Sequence, residues 1–124
     1  MTAPIWVPLP VTIIIHDRQI ARHGGAAGMR DRGLLEAACA RPVNKFEYGE
    51  TDLPTLTGAY AYGIAKAHAF VDGNKRTAFV TAFTFLRLNG YTFRPDPIDG
   101  VRMMEDLARD VVSEEEFAEW VRPS

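Results

Sequence analysis

The segment from Lys75 to Asn89 constrains the fold most, because it is apolar on nearly every side of a helix. A surface helix carries its apolar residues along one stripe, whereas a helix that is apolar all round lies at the centre of a domain. Gly90 supplies a C-terminal stop. The fold must therefore surround this helix with other elements. Its apolar residues are Ala78, Phe79, Val80, Ala82, Phe83, Phe85, Leu86 and Leu88.

Most of the remaining chain also predicts helices. Hydrophobic spacing and end signals place them over Val11–His23, Asp31–Ala40, Leu53–His68, Ile98–Val112 and, after the Ser113–Glu116 capping box, through Val121. The first segment is ambiguous, since Val, Thr and three consecutive Ile favour a strand on propensity alone. Three prolines predict an irregular segment over residues 1–10. We expect an all-α, compact single-domain bundle of about six helices over residues 1–124.

Glycine and proline positions refine this prediction. Pro42 ends the second helix, and the polar stretch from Asn44 to Pro54 is predicted to be a loop. Gly58 and Gly63 lie inside the third predicted helix, where glycine costs up to about 1 kcal/mol relative to alanine. Another backbone or a ligand is therefore expected to pack closely there. The helix over Ile98–Val112 has a predicted apolar face of Val101, Met104, Leu107, Ala108 and Val111.

Composition excludes several classes of protein. The 124 residues suffice for one core and not for two. A net charge of -2 gives no reason to expect direct nucleic-acid binding. No apolar run approaches the roughly twenty residues that cross a bilayer, so no membrane association is expected. The single Cys39 is expected to be a small buried apolar residue. These features predict a cytoplasmic domain.

Nine consecutive residues, His68-Ala-Phe-Val-Asp-Gly-Asn-Lys-Arg76, concentrate the reactive side chains. They precede a predicted helix, whose N-terminus offers free backbone N–H groups and a partial positive charge. Lys75 and Arg76 add two positive charges, and Asp72 can hold a hard divalent cation. His68 can accept a proton near neutral pH. This set of groups is typical of a nucleotide-phosphate site with its own general base.

The same nine residues resemble the signature of the Fic/Doc family, His-x-Phe-x-Asp/Glu-Gly-Asn-Gly/Lys-Arg. The resemblance extends to His16-Asp17, to the stretch His23-Gly-Gly-Ala-Ala-Gly28, to Asp31 through Pro42 and to Phe85-Leu-Arg-Leu-Asn-Gly90, which are similar to Doc-type toxins. It covers roughly Ile13 to Gly90. The resemblance implies a Fic/Doc-type helical bundle with a short flap loop, and a toxin of a toxin–antitoxin system.

The resemblance also implies a role for each residue of the motif. His68 is the general base, and Asp72 is the ligand of Mg²⁺. Gly73 and Asn74 bring N–H and amide donors to the phosphates of ATP. Lys75 and Arg76 neutralise charge on the transferred or leaving group. The structural alternatives are that Asp72 caps the following helix, that Arg76 pairs with an acidic residue and that Asn74 is a turn residue.

Position 75 bears on which group is transferred. Most Fic proteins carry Gly there and transfer AMP to a hydroxyl, whereas the Doc-like Lys75 implies transfer of the terminal phosphate of ATP to a threonine of elongation factor Tu. Lysine fills the space of a phosphate-cradling glycine and brings a point charge. Gly73 follows the general Fic pattern, which leaves AMP transfer open. A third hypothesis is a non-catalytic module that binds a nucleotide or a partner.

The family resemblance implies two protein contacts. Self-restrained Fic proteins carry a Ser/Thr-x-x-x-Glu helix, and no Ser or Thr of this chain is followed four residues later by Glu. A separate Phd-type antitoxin is then expected, with its C-terminal segment in a groove. The loop from Asn44 to Asp52 is the expected flap, and Lys45, Phe46 and Tyr48 are its candidate contacts with target or antitoxin. The alternative is a mobile loop with ordinary exposed aromatic residues.

Overall fold

A computed structural model describes residues 2–123. Over these residues the chain forms six helices and no strand, which confirms the all-α prediction. Met1 and Ser124, the ends of the expected domain, lie outside the described residues. The helices are α1 (Leu9–His23), α2 (Arg32–Glu47), α3 (Leu53–Ala67), α4 (Asn74–Leu88), α5 (Pro97–Ala108) and α6 (Glu114–Val121).

The centre of the bundle is shared by α3 and α4. Helix α3 packs against α2, α4, α5 and α6, because its many alanines and glycines let neighbours approach from several sides. Helix α4 is less enclosed than its sequence suggests, since Phe79 and Val80 are only half-buried and Leu88 is exposed. One side of α4 therefore remains accessible beside the functional site described below.

Both glycines inside α3 are places of close backbone approach. A Cβ on Gly58 would lie 3.0 Å from the carbonyl oxygen of Glu114, at the start of α6. A Cβ on Gly63 would lie 3.2 Å from the carbonyl oxygen of Ala38 in α2. The prediction of another backbone at these positions is confirmed, and the missing side chains let α2 and α6 pack onto α3.

The prediction that Pro42 ends the second helix is wrong. Helix α2 continues through Pro42 to Glu47, so only residues 48–52 connect it to α3. Proline removes one hydrogen bond from the carbonyl four residues earlier, here Ala38. That carbonyl faces Gly63, where no side chain obstructs it, and the Pro42 ring is buried. Tertiary packing thus offsets the local cost of proline.

The ends of α5 also differ from the prediction. The helix stops at Ala108, and Asp110 adopts a left-handed conformation with φ 60°. Met104 and Leu107 are buried as expected, whereas Val101 and Val111 are exposed. The capping box of Ser113 and Glu116 is confirmed. Within residues 2–123, no helix combines the length and the apolar character that a membrane span requires.

Both ends of the described chain are fastened to the bundle. The Val7 N–H donates to the Tyr60 hydroxyl at 3.0 Å, and the Trp6 ring stacks on Phe85 with 5.6 Å between ring centroids. At the other end, the Arg122 guanidinium donates two hydrogen bonds of 2.9 Å to the Asp52 carboxylate. Asp52 also caps the N-terminus of α3. Helix α3 is therefore bonded to both terminal segments.

Candidate active site

The motif forms the connection between α3 and α4. Helix α3 ends at Ala67, and His68 follows it in a left-handed conformation with φ 49° and ψ 42°. The helix therefore stops before the motif, and His68 and Asp72 do not lie one turn apart on a helix. The His68 side chain is exposed. A non-glycine residue in this region costs about 1 kcal/mol or more and is often found at functional sites.

Asn74 closes the connection into a tight loop. Its side-chain oxygen accepts from the Phe70 N–H at 3.0 Å, and its side-chain nitrogen donates to the Phe70 carbonyl at 2.9 Å. The Phe70 ring is buried. The Asn74 amide is thus occupied within the loop, in agreement with the turn alternative. Its backbone N–H, at the first position of α4, takes no part in this pairing.

A second loop, residues 24–31 between α1 and α2, lies against the motif. The Arg30 N–H donates to the Ala69 carbonyl at 2.7 Å, and the Val71 N–H donates to the Gly28 carbonyl at 3.0 Å. Met29 and Phe70 form an isolated antiparallel bridge. In the sequence this segment contributes to the family resemblance, and it was not predicted to belong to the site. Its three glycines, Gly24, Gly25 and Gly28, were the available signal.

Asp72 is held by backbone N–H groups from both loops. Its carboxylate accepts from the Gly73 N–H at 2.7 Å and from the Ala26 N–H at 3.3 Å. These donors hold the pKa of the Asp72 carboxyl below its ordinary value, Gly73 contributing most. The N-cap of α4 is Gly73, with φ 78°, and no side chain caps the helix. Asp72 is therefore an ionised, exposed carboxylate and not a helix cap.

The start of α4 collects the positive groups of the site. Without a side-chain cap, the first-turn N–H groups of α4 remain available to an anion. Lys75 is exposed, and Arg76 donates from Nη2 to the Gly24 carbonyl at 3.1 Å. Arg76 thus bonds a backbone carbonyl of the second loop, and not the acidic partner considered as its alternative. The arrangement suits a phosphate group next to a bound cation.

His16 is the buried residue of the site that sequence reasoning missed. In the sequence, His16 contributes only to the resemblance to Doc-type toxins. In the structure it lies on α1, 1% exposed, beneath the motif loop. Its Nε2 is 2.8 Å from the Asp72 carbonyl oxygen. The neighbours of His16 along the chain do not indicate such a contact.

The segment expected to be the flap does not lie beside the motif, and its contacts with target or antitoxin stay a prediction. Residues 48–52 precede α3 whereas His68 follows it, so roughly 22 Å of helix separates them. Lys45 and Phe46 belong to α2: Lys45 lies 3.4 Å from the Glu114 carboxylate, and Phe46 packs edge-on against Trp6. Tyr48 alone of the three is fully in solvent, 93% exposed. The segment that borders the motif is residues 24–31.

A cleft of about 570 Å³ lies between α1, α4 and α5, next to the basic pair of the motif. Its walls are mostly apolar, with charged or polar groups from α1 and α4 and the acidic Glu105 from α5. The accessible side of α4, with Phe79 and Val80, forms one of these walls. The lining residues are Gln19, His23, Lys75, Arg76, Phe79, Val80, Pro97, Gly100, Val101, Met104 and Glu105.

The fold and the site together define an all-helical domain that presents a histidine, a carboxylate and an uncapped, basic helix N-terminus from one loop. The profile of the Fic/DOC family matches residues 6–86. This chain belongs to the Fic/Doc family, which confirms the resemblance inferred from the motif.

Two characterised proteins are similar to this chain. The "Protein kinase doc" of Escherichia phage P1 is 44% identical over 79 residues, which cover 63% of this chain and 63% of the phage protein. The "Toxin Doc" of Mycolicibacterium smegmatis is 43% identical over 93 residues, which cover 73% of this chain and 69% of that protein. The match thus spans less than two thirds of the length of the phage protein.

Proposed function

We propose that this protein transfers the terminal phosphate of ATP to a threonine hydroxyl of elongation factor Tu, and that it acts as the toxin of a toxin–antitoxin pair. The observation that carries the proposal is the motif loop, which combines exposed His68 with Asp72 and the basic, uncapped start of α4. The names of the two relatives, a kinase and a toxin, support it. Both ATP and this target place the activity in the cytoplasm.

His68 is the proposed general base. The imidazole removes the proton of the target hydroxyl, whose oxygen then forms a bond to the terminal phosphorus of ATP. The bond from that phosphorus to the bridging oxygen breaks, and ADP leaves with the electron pair. Lys75 and Arg76 stabilise the charge that develops on the phosphate oxygens, and the N–H groups of α4 add to this stabilisation.

The residues of the loop fit a magnesium ion. Mg²⁺ in nucleotide sites commonly takes one or two carboxylates together with phosphate oxygens. Asp72 supplies one exposed carboxylate, which its two N–H donors keep ionised. When bound, the ion neutralises phosphate charge. The residues of the chain are proposed to orient the ion. The N–H groups of Gly73 and Ala26 fix the Asp72 carboxylate, and Arg76 keeps its hydrogen bond to the Gly24 carbonyl.

AMP transfer is the alternative activity, and Gly73 is the residue that favours it in the sequence. In the structure Gly73 has positive φ, and its missing Cβ leaves room for Ile20 at 3.1 Å. Local packing therefore accounts for this glycine without reference to the orientation of the nucleotide. Lys75 then remains as the feature that bears on the transferred group, and it supports phosphoryl transfer.

Mass spectrometry of purified elongation factor Tu tests the proposed reaction. The factor is incubated with this protein and Mg²⁺–ATP, and its peptides are then analysed. We expect the mass of one phosphoryl group on a threonine. Addition of an AMP group would make the enzyme an AMP transferase, and an unmodified factor would overturn the proposed target.

We propose that the segment of residues 24–31, and not the α2–α3 connection, holds the target beside His68. It is exposed and already makes backbone hydrogen bonds to the motif loop at Ala69 and Val71. Added strand pairing is a common way to hold an extended peptide. The peptide of the target would then lie along the same loop that positions Asp72.

We propose that the cleft between α1, α4 and α5 receives the C-terminal segment of a Phd-type antitoxin. The name of the mycobacterial relative, a toxin, supports the existence of such a partner. The apolar walls suit one face of an amphipathic helix, and Lys75 and Arg76 attract acidic residues. A segment in this position would cover the basic pair that the reaction uses, which would explain inhibition.

Two matched valines test this docking site. Val101 lines the cleft and Val111 does not, yet their exposures are nearly equal, 60% and 61%. Val101→Asp should abolish co-purification with a co-expressed Phd-type antitoxin, because it places a charge on an apolar contact surface. Val111→Asp should co-purify as the wild type does. Equal retention of the antitoxin by both variants would contradict the proposed site.

A further inference from the structure

His16 contacts the motif loop at two points. Its ring is parallel to Phe70, with 3.8 Å between the ring centroids and an interplanar angle of 6°. Its Nε2 lies 2.8 Å from the carbonyl oxygen of Asp72. The side chain is buried, so both contacts are shielded from water. His16 therefore supports both Phe70, which anchors the motif loop in the core, and the peptide group that follows Asp72.

The Nε2 contact has a defined direction. A carbonyl oxygen can only accept, so Nε2 carries the hydrogen and donates it to Asp72. On the other side of the ring, Nδ1 is 3.3 Å from the carboxylate of Asp17, which is largely exposed. If packing alone mattered, a phenylalanine would fill the place beside Phe70. What the imidazole adds is the hydrogen-bond donor.

The bonded carbonyl belongs to the peptide group between Asp72 and Gly73. The N–H of that same peptide donates to the Asp72 carboxylate at 2.7 Å. Since a peptide group is planar, a bond that fixes its carbonyl also fixes the direction of its N–H. Gly73 is in addition the N-cap of α4. The orientation of this one peptide therefore sets both the carboxylate and the first turn of the helix.

We propose that His16 is a positioning residue for phosphoryl transfer: its Nε2–H fixes the Asp72–Gly73 peptide and thereby orients the Asp72 carboxylate and the N-terminus of α4. The inference rests on the proposed function for its role in the reaction. It acts through Asp72 and Gly73, and His16 itself does not touch the substrate.

Three variants separate the hydrogen bond from packing. His16→Phe keeps a flat ring beside Phe70 and loses the donor. His16→Gln places an amide N–H near the position of Nε2 and loses the ring. Phe117→Leu reduces the core at a fully buried residue of α6, and serves as a variant with lower stability and an unchanged loop.

The first readout needs no activity. In ¹⁵N–¹H NMR spectra without nucleotide, the Gly73 and Asn74 amide signals should shift in His16→Phe, and Gly73 should exchange its hydrogen faster. They should stay near their wild-type positions in His16→Gln and Phe117→Leu. Unchanged Gly73 and Asn74 signals in His16→Phe would overturn the inference.

The second readout is the concentration of Mg²⁺ at half-maximal transfer. It should rise about ten-fold in His16→Phe, the usual effect of losing one buried hydrogen bond, and return towards the wild type in His16→Gln. Phe117→Leu can lower the amount of folded enzyme but should leave this concentration unchanged. A wild-type concentration in His16→Phe together with a raised concentration in His16→Gln would assign His16 to packing. A wild-type protein that transfers nothing would instead overturn the proposed function, and the NMR result would still decide the contact.

Discussion

Gly25 is the residue that leaves room for the Asp72 carboxylate. Its φ is +115°, and a Cβ there would lie 2.7 Å from Asp72 Oδ2. Gly25→Ala should therefore displace the carboxylate and raise the Mg²⁺ concentration at half-maximal transfer several-fold. The measurement is the Mg²⁺ dependence of phosphate transfer by the purified variant.

Gly49 provides the control for this prediction, because it precedes α3 and lies away from the motif. Its φ is also positive, +107°, but a Cβ there meets no atom within 4 Å. Gly49→Ala carries the backbone cost alone, about 1–3 kcal/mol, and should leave the Mg²⁺ dependence unchanged. The account of Asp72 would be contradicted by two alanine variants with the same Mg²⁺ dependence.

The residues of the candidate site form two groups, those within the motif and those far from it along the chain. His68, Asp72, Gly73, Lys75 and Arg76 lie within nine positions, so a local motif was enough to predict them as one group. His16 and Gly25 join the site only through tertiary packing of α1 and the loop after it. Nothing in their neighbours along the chain indicates a contact with residue 72, and a single sequence offers no other signal.

At the scale of helices, Gly58 controls how closely α6 approaches α3. In an open helix, Gly→Ala gains up to about 1 kcal/mol of stability. Here the Cβ would lie 3.0 Å from the Glu114 carbonyl oxygen and 3.6 Å from the Ala118 Cβ. Gly58→Ala should therefore lower the free energy of unfolding by about 1–3 kcal/mol, measured by urea denaturation.

Gly33 serves as the control, because it lies near the exposed start of α2. A Cβ there meets only the exposed carboxylate of Asp31, at 3.2 Å, which caps α2 at the Leu34 N–H. Gly33→Ala should change the stability little. If Gly58→Ala were as stable as the wild type, the close packing of α6 on α3 would not hold.

The sequence predicted which segments are helical better than where each helix ends. The apolar spacing of α4 and the capping box of α6 are local signals, and both were sufficient. Pro42 led to a wrong helix end, because the hydrogen bond that proline removes is visible in the local sequence. The burial of its ring and the space at Gly63, which offset that loss, arise only from tertiary packing. That error lengthened the predicted loop, to which the family resemblance assigned the flap. The strand propensity of α1 was likewise overridden by packing against α4.

At the scale of the whole molecule, the pair of Asp52 and Arg122 fastens the C-terminal segment to the start of α3. The Arg122 guanidinium holds the pKa of Asp52 at about 2, below its ordinary 3.8, with further hydrogen bonds from Thr55. A lowered carboxyl pKa stabilises the fold above the ordinary value, and this contribution is lost as pH falls towards 2. Both side chains are 36% exposed, so screening limits the contribution to about 1 kcal/mol.

Asp52→Asn tests this contribution. At pH 7 the variant should unfold at a lower temperature than the wild type, because it loses the charged partner of Arg122. The difference in melting temperature should shrink between pH 4 and pH 2, where the wild-type carboxylate is itself protonated. Thermal unfolding followed by circular dichroism at several pH values provides the measurement. A difference that stays constant down to pH 2 would contradict the assignment.

The central claim is that the motif loop transfers the terminal phosphate of ATP with His68 as the base. The most direct measurement is label transfer to elongation factor Tu from ATP labelled at the γ- or the α-phosphorus, with wild type and His68→Asn. Asparagine tolerates the left-handed conformation at position 68, so the variant should remain folded. We expect label from the γ-position alone, reduced by about 10²-fold or more in His68→Asn. Label from the α-position, or a fully active His68→Asn, would contradict the account.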